Sequence, residues 1–236
     1  MSGSRATPPM PTPDPVFEGV YGTFTITAED RREVLAYRLA LTSVAIAQLA
    51  LALQWRQWGS GELWPWLVVM ALGLGLALRW IHIYLRPLHR ALQLFWLAGC
   101  MGLVALAAWL GPRQMVAEAW RHPLAILAVG PFFAALTGVG FKEFFCFRRP
   151  EAIGVTLLLP LALLGRLIGA LPVATTLGLL ALQAALLLVL CLRKFPMAAA
   201  ADVGDKSVFT HLEHLRRGGL TTVTDPAAGS TPGASL

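Results

Sequence analysis

The residues whose types could do chemistry lie in two short segments. The first reads Phe141-Lys142-Glu143-Phe144-Phe145-Cys146-Phe147-Arg148-Arg149-Pro150, with four phenylalanines beside four charged groups. A plain connector has no need of that mixture. Lys142, Glu143, Cys146, Arg148 and Arg149 could form a docking surface or a small-ligand site. Glu143 would be its acid, and Cys146 a thiol whose thiolate the arginines favour. The plainer and favoured reading is an interfacial elbow. Phe then sits in the headgroup zone, Arg lies on lipid phosphates, and Lys142 and Glu143 stay in water.

The second segment, Arg79 to Arg90, holds His82, Arg86 and His89. Two imidazoles seven residues apart invite a haem or metal reading. Pro87 stands between them and breaks the helix that would align them. No third ligand lies at helical spacing, so interfacial histidines are the better account. Phosphate-loop, zinc-protease and nucleophile-elbow motifs are absent from the sequence. The reading therefore assigns no catalytic residue, no metal ligand and no cofactor.

These segments must be held by apolar elements. The chain has 236 residues, 56% hydrophobic and 14% charged, where a soluble globular protein carries roughly 25% charge. Six windows are nearly free of charge: about 38–55, 63–82, 91–110, 123–141, 151–170 and 173–192. Each suits a helix crossing a hydrocarbon core of roughly 30 Å, in which backbone groups must bond internally. The sequence thus predicts an all-α membrane protein with six transmembrane helices. Fifteen of the nineteen Lys and Arg fall before or at the start of the first window, in or at the edge of the 2–3 and 4–5 loops, and after the sixth window; the others are Arg56, Arg113, Arg121 and Arg166. Positive charge stays inside, so both termini are expected in the cytoplasm (N-in/C-in). Trp55, Trp58, Trp64, Trp66, Trp109 and Trp120 would belt the outer face, and Tyr37, Trp80 and Tyr84 the inner one. With basic residues at helix ends, the net charge of +6 answers to topology, and nucleic acid is not expected as a partner. Three cysteines without a CxxC pair imply neither a disulfide framework nor a zinc site.

The expected organisation is a disordered, Pro-rich segment 1–15, a membrane domain 16–197 and a cytoplasmic tail 198–236. Phe24 to Thr27 alternates like a short strand, and Thr27 with Asp30 forms a capping box that opens a helix through Arg31 and Arg32. In the tail, Val208, Leu212 and Leu215 would share one face of a short helix, and the rest would be disordered. Pro131 and Pro160 lie inside the fourth and fifth windows and should kink them. Transporters use broken helices, but no Asp or Glu accompanies these kinks, which lowers that reading. Gly165 with Gly169, and Ala134 with Gly138, permit close helix contact. Arg166 lies about one turn inside the outer boundary and can snorkel out.

Gly19-Val20-Tyr21-Gly22-x-Phe24, then Ile81-His82-Ile83-Tyr84-Leu85-Arg86-Pro87-Leu88-His89-Arg90, then Ala134-Ala135-Leu136-Thr137-Gly138 leading to Phe141-Lys142-Glu143 and Cys146, resembles the DUF2301 family. The likeness covers roughly residues 16 to 200. It implies a multi-pass membrane protein of the type known from cyanobacteria, in a bacterial plasma membrane or a thylakoid membrane, and supplies no activity or site residues. The residues favour a non-enzymatic scaffold, assembly or accessory component. Its partners would be the lipid bilayer and a larger membrane complex. The alternative is a small-solute transporter or channel built on the kinked helices.

Overall fold

The structure, a computed structural model, describes residues 14–59, 61–83 and 85–216. Most of the expected disordered segment 1–15, Tyr84 and the tail beyond residue 216 lie outside them. The elements are strands β1 (Val16–Gly19) and β2 (Gly22–Thr25), then helices α1 (Ala28–Trp58), α2 (Trp64–Trp80), α3 (Arg86–Leu110) and α4 (Met115–Arg121). A 3-10 turn at Pro123–Ala125 leads to α5 (Ile126–Phe147), α6 (Pro150–Leu167), α7 (Val173–Lys194), α8 (Ala200–Val203) and α9 (Lys206–Arg216).

Five helices are long and apolar enough to cross a membrane, α5 being counted with its 3-10 turn, and the 17-residue α2 is a shorter apolar sixth. The protein is thus an all-α membrane protein of six apolar helices. Local chemistry sets their ends. Thr27 and Asp30 form the expected reciprocal capping box. Pro65, Pro87 and Pro150 stand in the first turns of α2, α3 and α6, where a missing N–H costs nothing. Pro87 therefore starts a helix. α5 ends with Arg148 in the left-handed region, φ 49°. Pro150 keeps Arg149 extended, so the chain reverses within three residues.

Residues Ile26–Gly204 form one compact unit. Its six long helices close a ring in the order α1, α2, α3, α5, α6, α7, with α2 and α3 meeting over the least length. Leu41, Val44, Leu74, Leu136, Leu159 and Leu187 are fully buried at its centre. The short helix α4, which the sequence reading missed, covers a second cluster of Leu63, Leu106, Met115 and Val116.

The close helix contact lies elsewhere than the sequence motifs suggest. A Cβ at Gly99 would land on the backbone of Phe132, and one at Gly102 on the carbonyl of Ala128. These two glycines let α3 lie against α5. Gly138 faces only the Leu92 side chain. Gly169 has φ +75° and serves the α6–α7 turn, where Leu171 N donates to Gly165 O at 3.0 Å. The Arg166 guanidinium donates to Trp120 O at 2.6 Å.

The second unit joins the ends of the chain, residues up to Thr25 and from Asp205 on. The strand expected at Phe24–Thr27 is β2, one residue pair earlier, and it pairs antiparallel with β1 in a hairpin closed by Val20 and Tyr21. Asp205 accepts from Val20 N at 2.7 Å, Ser207 Oγ accepts from Tyr21 N at 3.0 Å, and Tyr21 stacks on His211 at 3.9 Å. The Ser207 hydroxyl, followed by Val20 N–H, holds the Asp205 carboxyl below its usual range. The short helix expected in the tail is α9, and these contacts set which of its sides meets the hairpin. Ser207 is buried, while Leu212 and Leu215 are exposed.

Candidate functional site

The Lys/Arg-rich end of the bundle carries a buried cluster of charges. α5 runs two turns further than the apolar window, so residues 141–147 are helix and not loop. The reading of Lys142 and Glu143 as solvated is therefore corrected: Glu143 is 0% and Lys142 7% exposed. An acid does accompany a kinked helix, since Glu143 belongs to the helix that carries Pro131.

Glu143 Oε1 accepts from the Tyr37 hydroxyl at 2.5 Å and from Lys142 Nζ at 3.2 Å. Its Oε2 accepts from Lys194 Nζ at 2.5 Å. Lys194 also lies 2.5 Å from Asp202 Oδ1, a charge contact off the line of a hydrogen bond, since that oxygen has no aligned donor. Asp202 Oδ2 takes two bonds from Arg38, Nε at 2.8 Å and Nη2 at 2.6 Å. Arg38 Nη1 adds the Met197 carbonyl at 2.9 Å. Both lysine ammoniums lie over aromatic faces, Lys194 4.8 Å from the Tyr37 ring and 4.7 Å from Phe147, and Lys142 5.4 and 5.7 Å from the same rings.

The chain of contacts ties α1, α5, α7 and α8 together. Three cations face two carboxylates, so the group retains one positive charge that the aromatic faces soften. In a low-dielectric interior such charges persist only when paired and hydrogen-bonded, and every member here is.

The other expected site residues lie apart from this cluster. Cys146 is exposed, as are the flanking Phe141 and Phe145. Arg148 and Arg149 form the turn after α5, where Arg149 Nη2 reaches Met197 Sδ at 3.2 Å. Arg86 opens α3 and is exposed. His82 and His89 do not share a helix: His82 lies in the 2–3 connection, and His89 within α3 sets Nε2 2.7 Å from Leu78 O. His82 instead meets Glu33 at 3.7 Å. With Asp30 these two form the group among the described residues whose ligand atoms could surround a cation. The Asp30 carboxylate already accepts from Thr27 N and Oγ1 in the α1 cap, which leaves it poorly disposed as a ligand.

A second polar feature lies mid-span. Gln48 of α1 donates to Gln183 of α7, and both are buried. Among the described residues Gln48 Oε1 and Gln183 Nε2 have no hydrogen-bond partner. Gln48 also borders a cavity of about 110 Å³ whose other walls include Leu51, Met70, Leu106, Met115 and Trp120.

Residues 76–211 match a family described as an uncharacterized integral membrane protein, DUF2301. The chain belongs to the DUF2301 family. The matched span holds Lys142, Glu143, Lys194 and Asp202 and excludes Tyr37 and Arg38. No curated protein and no solved structure matches the chain. Membership in DUF2301 agrees with a multi-pass protein integral to the membrane and carries no activity.

Proposed function

We propose that this protein is a non-enzymatic scaffold or accessory component of a membrane complex. The observation that carries the proposal is the mutual engagement of the buried charges. Glu143, Lys194, Asp202 and Arg38 bond to one another and to Tyr37, and none of them borders the cavity beside Gln48. A coupling acid must exchange partners during transport, and a catalytic group must meet a substrate. A closed clamp suits a rigid support. The span α3 offers a face for a partner within the bilayer: 17% of its most apolar stretch is buried, against 50% for α1.

The test is native size after mild detergent extraction of the tagged protein from its own membranes. The scaffold role predicts a defined assembly whose other components recur between preparations. Recovery only as a lone chain or a homo-oligomer would remove its basis.

One observation favours a second reading, a small-solute transporter: the buried Glu143 shares α5 with Pro131, and α6 carries Pro160. Such a carrier would lose uptake in proteoliposomes on Pro131→Ala or Glu143→Gln. Unchanged uptake across a broad substrate panel would dispose of it.

A further inference from the structure

At the Lys/Arg-rich end of the bundle, where α2 and α3 meet over the least length, a groove of about 520 Å³ opens between them. Its polar lining is Arg79, Arg90 and Gln93, and its apolar lining includes Leu94, Trp96 and Leu97. Neither arginine has a carboxylate within ion-pair distance among the described residues. Among the described residues no acidic side chain lines the groove. The Trp96 indole forms one wall. It is fixed by its N–H to Ala71 O at 2.9 Å and stands where a Cβ at Gly75 would collide with the ring.

We infer that this groove binds one anionic phospholipid, with its phosphodiester between Arg79 and Arg90 and an acyl chain along Leu94 and Leu97. Guanidinium forks match phosphate oxygens in two-point contacts. Basic recesses between transmembrane helices on the cytoplasmic side are where such headgroups are held. Two unpaired cations, one neutral amide and an apolar run toward the membrane centre fit a lipid better than a free anion, which would leave the leucines without a partner. Ordinary headgroup contact by a positive-inside arginine makes a different prediction. Arg86, exposed at the start of α3 and outside the groove, would then matter as much as Arg79 and Arg90.

The experiment is native mass spectrometry of the full chain in mild detergent, titrated with phosphatidylglycerol, with phosphatidylcholine, or with inorganic phosphate. Each arginine near an anionic headgroup is worth about 1 kcal/mol, so losing both weakens binding roughly 30-fold. Wild type and R86Q should retain one phosphatidylglycerol in preference to phosphatidylcholine. R79Q/R90Q should bind it roughly 30-fold more weakly, at unchanged helix content by circular dichroism. R79Q and R90Q singly should fall between. Equal retention by wild type and R79Q/R90Q would overturn the inference. So would an equal loss in R86Q, or displacement of the lipid by inorganic phosphate alone.

Discussion

Replacing Glu143 by Gln tests the buried clamp most directly. Glu143 accepts from Tyr37, Lys142 and Lys194 within 3.2 Å and is fully buried. The amide keeps the shape and removes the charge. The wild-type group sets Arg38, Lys142 and Lys194 against Glu143 and Asp202. The substitution leaves three cations facing one carboxylate: Lys142 loses its counter-charge and Lys194 one of its two, where water cannot replace it. Removing one partner of a buried pair typically costs about 3–5 kcal/mol, and we expect E143Q to fall in that range. The readout is thermal unfolding in detergent followed by a thiol-reactive dye, because Cys191 is 1% exposed and packs beside the clamp. Exposed Cys146 would be replaced by Ser in every background to lower the baseline. The companion variant, E143Q/K194Q, restores the original excess of one cation. It should recover a large part of the loss, with a coupling of about 1–3 kcal/mol in the double-mutant cycle. An E143Q melting temperature within a degree of wild type would refute the reasoning. Strictly additive losses in the double variant would refute it equally.

Two further outcomes follow from packing. Gly102→Ala should push α3 off the Ala128 carbonyl and cost about 1–3 kcal/mol by overpacking, whereas Gly178→Ala, with open space around its Cβ position, should be neutral or slightly stabilising in the same melt. Gln48→Leu alone should destabilise by about 1–3 kcal/mol because it strands Gln183 in the core, while Gln48→Leu with Gln183→Leu should return stability close to wild type or above it. A double variant less stable than either single one would show that the amides meet a polar partner of their own.

The legible part of this protein was its local part. Window 38–55 became α1 and window 173–192 became α7, since the need for some twenty apolar residues per crossing is written in consecutive positions. The capping box at Thr27 was legible for the same reason, as its two partners are three residues apart. The last two turns of α5 were not. Phe141 to Phe147 mixes charge with aromatics and reads as a loop, and only the neighbouring helices show that Lys142 and Glu143 face inward. In the same way α9 turned Leu212 and Leu215 outward, because hydrogen bonds from Val20 and Tyr21 to Asp205 and Ser207 set which side faces the hairpin.

The sequence by itself determined that this chain is a bundle of apolar helices in a bilayer, which are its basic ends, and where most helices begin. Those properties follow from hydropathy, charge counts and short-range capping, all functions of neighbouring residues. Tertiary structure alone decided which charges are buried together. Arg38, Glu143 and Asp202 are separated by more than fifty residues at each step, and no spacing rule relates them. Their meeting depends on the helix ring closing so that α1, α5, α7 and α8 converge at its basic end, and packing at places such as Gly99 and Gly102 holds α3 against α5 within that ring. An isolated charge in this interior would be too costly to keep, so the bundle order that brings the partners together is also what permits them to be there.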